Sequence, residues 1–120
     1  MDDTQARMDR VIADAYTDAA AKARSVAVIG VTRAAAHDAL KRFKETSGVG
    51  SAEFRLTNGA EEMRLPSGGK VFLAAIQSGG LRGTTVDRIY IPYEMLTPEL
   101  AEEIIPAVIT SDEPAITAYL

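Results

Sequence analysis

Three charged side chains in one short stretch have the types and spacing suited to phosphate or metal chemistry. The stretch runs from Gly79 to Glu94 and reads GGLRGTTVDRIYIPYE, with Arg82 in a glycine-flanked loop, Asp87 before an apolar strand and Glu94 after it. An α/β protein that handles nucleotides places its reactive groups at the carboxyl end of a central strand, which the segment Arg88–Ile91 would supply. Glu94, Asp87 and Arg82 are therefore the candidate catalytic residues.

Two other features suggest chemistry but have simpler structural explanations. His37 has no cysteine, serine or carboxylate at a spacing typical of catalysis, so we interpret it as a solvated helix residue. The segment Ser67-Gly68-Gly69-Lys70 lacks the GxxxxGK[ST] spacing of a phosphate loop, and an extended run rather than a helix follows it. The sequence predicts a hairpin turn there, and it assigns no cofactor or metal site.

Length and composition indicate a single domain, residues 1–120, large enough to bury a core without metal or disulfide support. The absence of cysteine and the single histidine exclude a disulfide framework, a cysteine nucleophile and a histidine-rich metal cluster. The first residues, MDDTQARMDR, are acidic and polar, and no apolar run approaches the ~20 residues of a membrane span. We expect a soluble, cytoplasmic protein without membrane contact. The net charge of −4, with both signs interspersed, argues against non-specific binding of duplex DNA.

Hydrophobic periodicity predicts an alternation of helices and strands along the chain. The first element is an amphipathic helix over residues 4–23, whose apolar face consists of Met8, Val11, Ile12, Ala15, Ala19 and Ala23. The elements that follow are a buried strand (25–31), a helix capped by Thr32 (33–46), an edge strand (52–57), a turn at Asn58-Gly59, a hairpin (62–65 and 70–76), the strand Arg88–Ile91, a helix that starts at Thr97-Pro98 and contains Pro106, and a final strand (115–120).

This order predicts an α/β sandwich of two or three layers. Its sheet is mainly parallel and is built from Val26–Val31, Arg88–Ile91 and Ala115–Leu120, because helices connect these strands. The hairpin is an antiparallel insertion into this fold.

The element order and several short motifs resemble the ATPase domain of the large terminase subunit, the DNA-packaging motor of tailed bacteriophages. The matching segments are SVAVIGVTR, RLPSGGKVFLAA, GGLRG and VDRIYI, and the likeness covers nearly the whole chain. The resemblance implies a partial RecA-like core, in which Arg88–Ile91 is the Walker B strand and the loop Leu81-Arg82-Gly83 leads to it through Asp87. Helicase-type nucleotide-binding cores are similar more loosely.

Two departures from that family argue against catalysis. The resemblance places the first helix directly after the phosphate loop, and the loop and its strand have no counterpart in the 120 residues. Where the family has Asp-Glu after the Walker B strand, this chain has Pro92-Tyr93-Glu94. Proline thus occupies the position of the metal ligand, and Glu94 is one residue late. The sequence favours a non-catalytic relative of the ATPase domain.

The missing strand implies an exposed sheet edge. In the family's sheet, the phosphate-loop strand lies beside the strand that corresponds to Ala115–Leu120. Without that neighbour, Ile116, Ala118 and Leu120 would lie on an apolar edge that another chain can extend. We therefore predict a protein partner or a homo-oligomer. The alternatives are that the segment 52–57 or the hairpin folds over this edge, or that the final strand is too short to matter.

Three functional hypotheses follow from these observations. The first is a non-catalytic, phage- or prophage-encoded interaction protein of the host cytoplasm, acting through protein–protein contacts or self-association. The second is a nucleotide-binding or ATP-hydrolysing subunit that binds Mg-ATP with a partner's phosphate loop and uses Glu94, Asp87 and Arg82. The third is a small nucleic-acid-binding regulator, although acidic residues on the same helix make a solvated mixed face the simpler explanation. Its basic residues would be Arg24, Arg33, Lys41, Arg42 and Lys44.

Overall fold

The structure is a computed structural model that describes residues 3–46, 52–57, 61–74 and 85–120. Their helices and strands are α1 (Asp3–Lys22), β1 (Ser25–Ile29), α2 (Arg33–Thr46), β2 (Glu53–Arg55), β3 (Glu62–Arg64), β4 (Lys70–Ala74), β5 (Arg88–Pro92), α3 (Pro98–Val108) and β6 (Ala115–Tyr119). A short 3-10 helix, Tyr93–Met95, follows β5. The predicted turn at Asn58-Gly59 and the loop that carries Arg82 lie outside the described residues.

All the described strands form one 6-stranded sheet in the order β2-β3-β4-β1-β5-β6. Strands β4, β1, β5 and β6 are parallel, whereas β2 pairs with β3 and β3 with β4 in antiparallel fashion. The α/β class and the mainly parallel sheet with an antiparallel hairpin are confirmed. One feature was not anticipated, since β4 belongs both to the hairpin and to the parallel sheet, where it lies beside β1.

Helices cover both faces of the sheet. Successive side chains of a strand point to opposite faces, so β1 contributes Val26 and Val28 to one core and Ala27 and Ile29 to another. The first core lies under α1 and α2, and the second lies under α3. The described residues therefore form three layers. Burial of β1 on both faces agrees with its unbroken apolar sequence.

Helix α1 buries the predicted face with one exception. Met8, Val11, Ile12, Ala15 and Ala19 are all buried. Ala23 was expected on this face, but it is exposed and has a φ of 55°, which ends the helix in the left-handed region. Gly69 of the hairpin turn lies so close to this helix end that an added Cβ would be 2.4 Å from the Ala19 carbonyl oxygen.

The connection from β1 to α2 begins earlier than predicted. Strand β1 ends at Ile29 rather than Val31, and an added Cβ on Gly30 would lie 2.7 Å from the Cβ of Ala36. This close approach allows α2 to begin after only three intervening residues. Thr32 caps the helix as expected, because its Oγ1 accepts the backbone N–H of Ala35 at 3.1 Å.

Helix α3 starts at the predicted signal and continues past its internal proline. The Thr97 hydroxyl oxygen accepts the backbone N–H of Leu100 at 3.1 Å, and Pro98 is the first helical residue. Pro106 lies inside the helix, which extends to Val108. Ile104, Ala107 and Val108 are buried against the second core, so this one helix packs over the central strands.

Candidate functional site

Glu94 lies just beyond the carboxyl end of β5, where its carboxylate forms an ion pair with helix α1. Arg7 donates from one nitrogen to both Glu94 oxygens, at 2.9 and 3.1 Å. Arg7 also donates to the Tyr119 carbonyl oxygen at 3.3 Å, and its guanidinium lies 5.7 Å from the centre of the Tyr119 ring. This arrangement joins the start of α1 to the ends of β5 and β6. The Glu94 side chain remains 53% exposed.

Asp87 lies at the opposite end of β5 from Glu94. Its carboxylate accepts the backbone N–H of Ser25 at 2.9 Å and the hydroxyl of Ser111 at 2.8 Å. Five strand residues separate it from the 3-10 helix, which corresponds to roughly 16 Å of extended chain. The structure therefore does not bring Asp87 and Glu94 together. Arg82, the third candidate, lies outside the described residues.

An ion-pair cluster surrounds the amino end of the parallel strands near Asp87. Arg24 lies 3.0 Å from Asp18 and also pairs with Glu113, and Arg88 lies 3.5 Å from Glu113 and 3.8 Å from Asp18. The hydroxyl of Tyr90 donates to Asp18 at 3.2 Å. The cluster links α1, β5 and the segment that leads into β6.

The pKa values of Tyr90 and Glu113, two members of this cluster, are shifted from their ordinary values. Burial, reinforced by the negative charge of Asp18, raises the pKa of Tyr90 to about 12. Hydrogen bonds from Lys22 and Arg24 lower the pKa of Glu113. Both shifts favour the protonation states present at neutral pH, neutral Tyr90 and ionised Glu113.

A cleft opens at the carboxyl ends of β1 and β4. Its volume is about 320 Å³, and its lining includes Gly30, Thr32, Arg33 and Glu61. Glu61 is only 2% exposed. One of its carboxylate oxygens lies 3.7 Å from Nη2 of Arg33, and the other lies 3.7 Å from Nδ1 of His37. His37 is thus a half-buried neighbour of a carboxylate rather than a fully solvated residue.

Sequence reasoning missed Glu61, although one signal for it was present. Residues two apart in an extended segment share a face, and Met63 is a buried residue of β3. Glu61 is therefore expected on the same inward side as Met63. A carboxylate at such a position is uncommon, because burying a charge is costly unless it has partners.

Three of the five basic residues of the regulator hypothesis are engaged with carboxylates. Arg42 lies 2.7 Å from Asp9, Arg33 approaches Glu61, and Arg24 belongs to the cluster at the amino end. These contacts reduce the positive charge that the described surface offers to a nucleic-acid backbone.

Strand β6 lies at one end of the order of the described strands. It pairs with β5 through all five residues, and no other described strand pairs with it. Ile116 and Ala118 alternate along the strand and share one face, on which Ile116 packs against the core under α3, and Leu120 directly follows the strand. Ala118 is exposed, Leu120 is 75% exposed and Ile116 is partly buried. We use the name β6 edge for the side of β6 that faces away from β5, together with Ile116, Ala118 and Leu120.

Tyr119 fixes β6 from the other face. Its side chain is 8% exposed, and its hydroxyl donates to the Ile29 carbonyl oxygen and lies 3.5 Å from the sulfur of Met8. Burial raises the pKa of Tyr119, so the hydroxyl stays protonated as a donor. The Tyr119 side chain therefore holds β6 on the sheet. The backbone edge of β6 that faces away from β5 has no partner strand among the described residues.

Charges of opposite sign lie at the two ends of the β6 edge. The exposed residues Asp112 and Glu113 precede the strand. At its other end, Arg10 donates to the Leu120 carbonyl oxygen at 3.0 Å, and Arg7 contacts Tyr119. Glu113 is paired there with Lys22 and Arg24, and Arg7 is paired with Glu94, which leaves the exposed Asp112 at the amino end and the exposed Arg10 at the carboxyl end.

Comparison with known proteins adds no further information on the site. None of the helices in the described ranges is long and apolar enough to cross a membrane. No family model, curated protein or solved structure matches this chain.

Proposed function

We propose that this chain is a non-catalytic interaction protein that binds an extended segment of polypeptide along the β6 edge. The position of β6 at the end of the sheet order is the observation that carries this proposal. An edge strand presents a row of backbone N–H and C=O groups that another strand can pair with. Firm anchoring by Tyr119 keeps that row in place, which lowers the entropic cost of binding.

The contrast with the other end of the sheet supports the choice of β6. Strand β2 has only three residues, and two of them, Glu53 and Arg55, are charged and exposed. Short length and charged side chains are the devices that discourage pairing at sheet edges. β6 has five residues and no charged side chain, so it is the more receptive edge.

A terminase-like ancestry and a phage or prophage origin are part of this proposal. The row of four parallel strands, with the Walker B-like strand β5 next to the edge strand, is compatible with a partial RecA-like core. The ion pair of Glu94 with Arg7 and the remote position of Asp87 favour a non-catalytic role.

Binding of an extended peptide tests the proposal. The probe is a fluorescein-labelled peptide of alternating threonine and valine, and the readout is fluorescence anisotropy during titration with the protein. We expect saturable binding to the wild type and a loss with Ala118→Lys, because a lysine at the edge opposes strand addition. The matched control is Ala20→Lys, an exposed alanine of α1.

Two outcomes would contradict the proposal. One is the absence of saturable binding by the wild-type protein at concentrations where it is monomeric. The other is equal binding by wild type and Ala118→Lys, with both proteins folded by circular dichroism, since the contact would then lie elsewhere.

A nucleotide-binding subunit is the second candidate, and the cleft beside Glu61 is the observation that favours it. The cleft's volume of about 320 Å³ lies within the usual range of about 300–1,000 Å³ for ligand sites. Under this candidate, Mg-ATP would raise the melting temperature saturably, and Glu61→Gln would alter that response whereas Glu94→Gln would not. No shift at millimolar Mg-ATP would reject it for this chain.

A further inference from the structure

We infer that the segment bound at the β6 edge is β6 of a second copy of this chain, paired in antiparallel orientation with Thr117 of one copy opposite Thr117 of the other. This inference rests on the proposed function, because it names the partner of the same edge. The resulting dimer would have a continuous sheet across its two-fold axis.

The charges at the two ends of β6 select the antiparallel orientation. In that orientation the acidic end of one strand, with Asp112, lies beside the basic end of the other, with Arg10. A parallel pair would place acid next to acid and base next to base. The five-residue strand is about 17 Å long, which exceeds a Debye length of about 8 Å at physiological salt. The charges at each end therefore act mainly on their nearest neighbours.

The apolar side chains favour the same orientation. With Thr117 at the centre, Ile116 of one copy lies directly opposite Ala118 of the other, on the face covered by α3. Directly opposed apolar residues are the stabilising unit of an antiparallel pair. A two-fold axis perpendicular to the sheet keeps both α3 helices on one face. A parallel pair would need a two-fold axis along the strands. That axis turns one copy over, so Ile116 of one copy would lie beside Thr117 of the other.

Backbone chemistry permits this pairing. Each residue of Ala115–Tyr119 carries an N–H group, and the preceding proline, Pro114, lies outside the strand. Thr117 is exposed at the middle of the strand, so an approaching copy can reach it.

Cysteine cross-linking provides the sharpest test, because the chain contains no cysteine of its own. Thr117→Cys should form a covalent dimer on mild oxidation, since opposed residues in antiparallel strands have Cα atoms about 4.5–5.5 Å apart, within the range for a disulfide. Thr46→Cys, an exposed threonine of α2, is the matched control and should give only background cross-linking. Equal cross-linking by both variants would overturn the inference.

A charge exchange tests the orientation independently. Arg10→Glu should weaken the dimer in sedimentation equilibrium, because it places acid beside Asp112 of the other copy. The double variant Arg10→Glu with Asp112→Arg should restore the dimer. A parallel pair predicts no such restoration, so failure of the double variant to recover, in a folded protein, would contradict the antiparallel arrangement.

The edge variant separates failure of this inference from failure of the proposed function. Ala118→Lys should weaken the dimer at least about tenfold, or about 1.4 kcal/mol, while Ala20→Lys should not. A protein that stays monomeric at high concentration but still binds the threonine–valine peptide would overturn the second-copy inference and leave the proposed function intact. A monomer that binds no peptide would overturn both. A dimer that tolerates Ala118→Lys would have its interface elsewhere.

Discussion

Tyr119 is the side chain that ties the proposed edge to the core. Its hydroxyl crosses under the sheet to the carbonyl oxygen of Ile29, in the central strand β1. That bond spans 90 positions of sequence, so no local pattern could have revealed it. Alternation along the strand places Tyr119 on the face opposite Ile116 and Ala118.

Removal of this hydroxyl should destabilise the fold. Tyr119→Phe leaves the buried Ile29 carbonyl without its donor, so we expect the free energy of unfolding to fall by about 1–3 kcal/mol. Urea denaturation measures the change. The control is Tyr93→Phe, whose ring is 63% exposed and where a change within about 0.5 kcal/mol is expected. Equal effects of the two substitutions would show that the buried bond contributes nothing.

Contacts with other elements hold the amino end of β6 in position. Glu113, just before β6, pairs with Lys22 and Arg24 at the end of α1 and approaches Arg88 at the start of β5. These contacts join segments that are distant in sequence. The same holds at the other end, where Arg7 and Glu94 are 87 positions apart.

The Glu113 contacts should make stability depend on pH in the acid range. Because they lower the pKa of Glu113 in the folded protein, their contribution is fully present above the ordinary value of 4.5 and is lost as pH falls through the folded-state pKa. Glu113→Gln should therefore reduce stability at pH 7 but have little effect at about pH 2. Denaturant titrations at several pH values measure this difference. Glu103→Gln, an exposed residue of α3, should show no such pattern, and a pH-independent effect of Glu113→Gln would contradict the assignment.

Sequence patterns located most elements because the signals for helices and strands are local. The bounds of α2 were predicted to the residue, and those of α1 to within one, since capping residues and helical spacing lie within a few positions of each other. The register of β4 beside β1 could not be predicted, because strand pairing joins distant segments. The left-handed conformation of Ala23 was also missed, since glycine is the usual residue at such a position.

At the scale of the whole molecule, the described sheet ends in the short, charged strand β2 on one side and in the uncharged strand β6 on the other. The expectation that β6 lies at a sheet edge was drawn from the resemblance to the terminase ATPase domain, because periodicity alone predicts no strand order. The candidate catalytic residues show the limit of that approach. Asp87 and Glu94 are close in sequence, yet an intervening strand carries them to opposite ends of the sheet.

The most direct test of the central claim is amide hydrogen exchange of the two sheet edges, measured with and without the threonine–valine peptide at a protein concentration low enough for the monomer to predominate. We predict that the peptide slows exchange within Ala115–Leu120, because the outer backbone groups of β6 gain partners, while Glu53–Arg55 of β2 is unaffected. Unchanged exchange in Ala115–Leu120 at a saturating peptide concentration, or equal protection of both edges, would contradict the account.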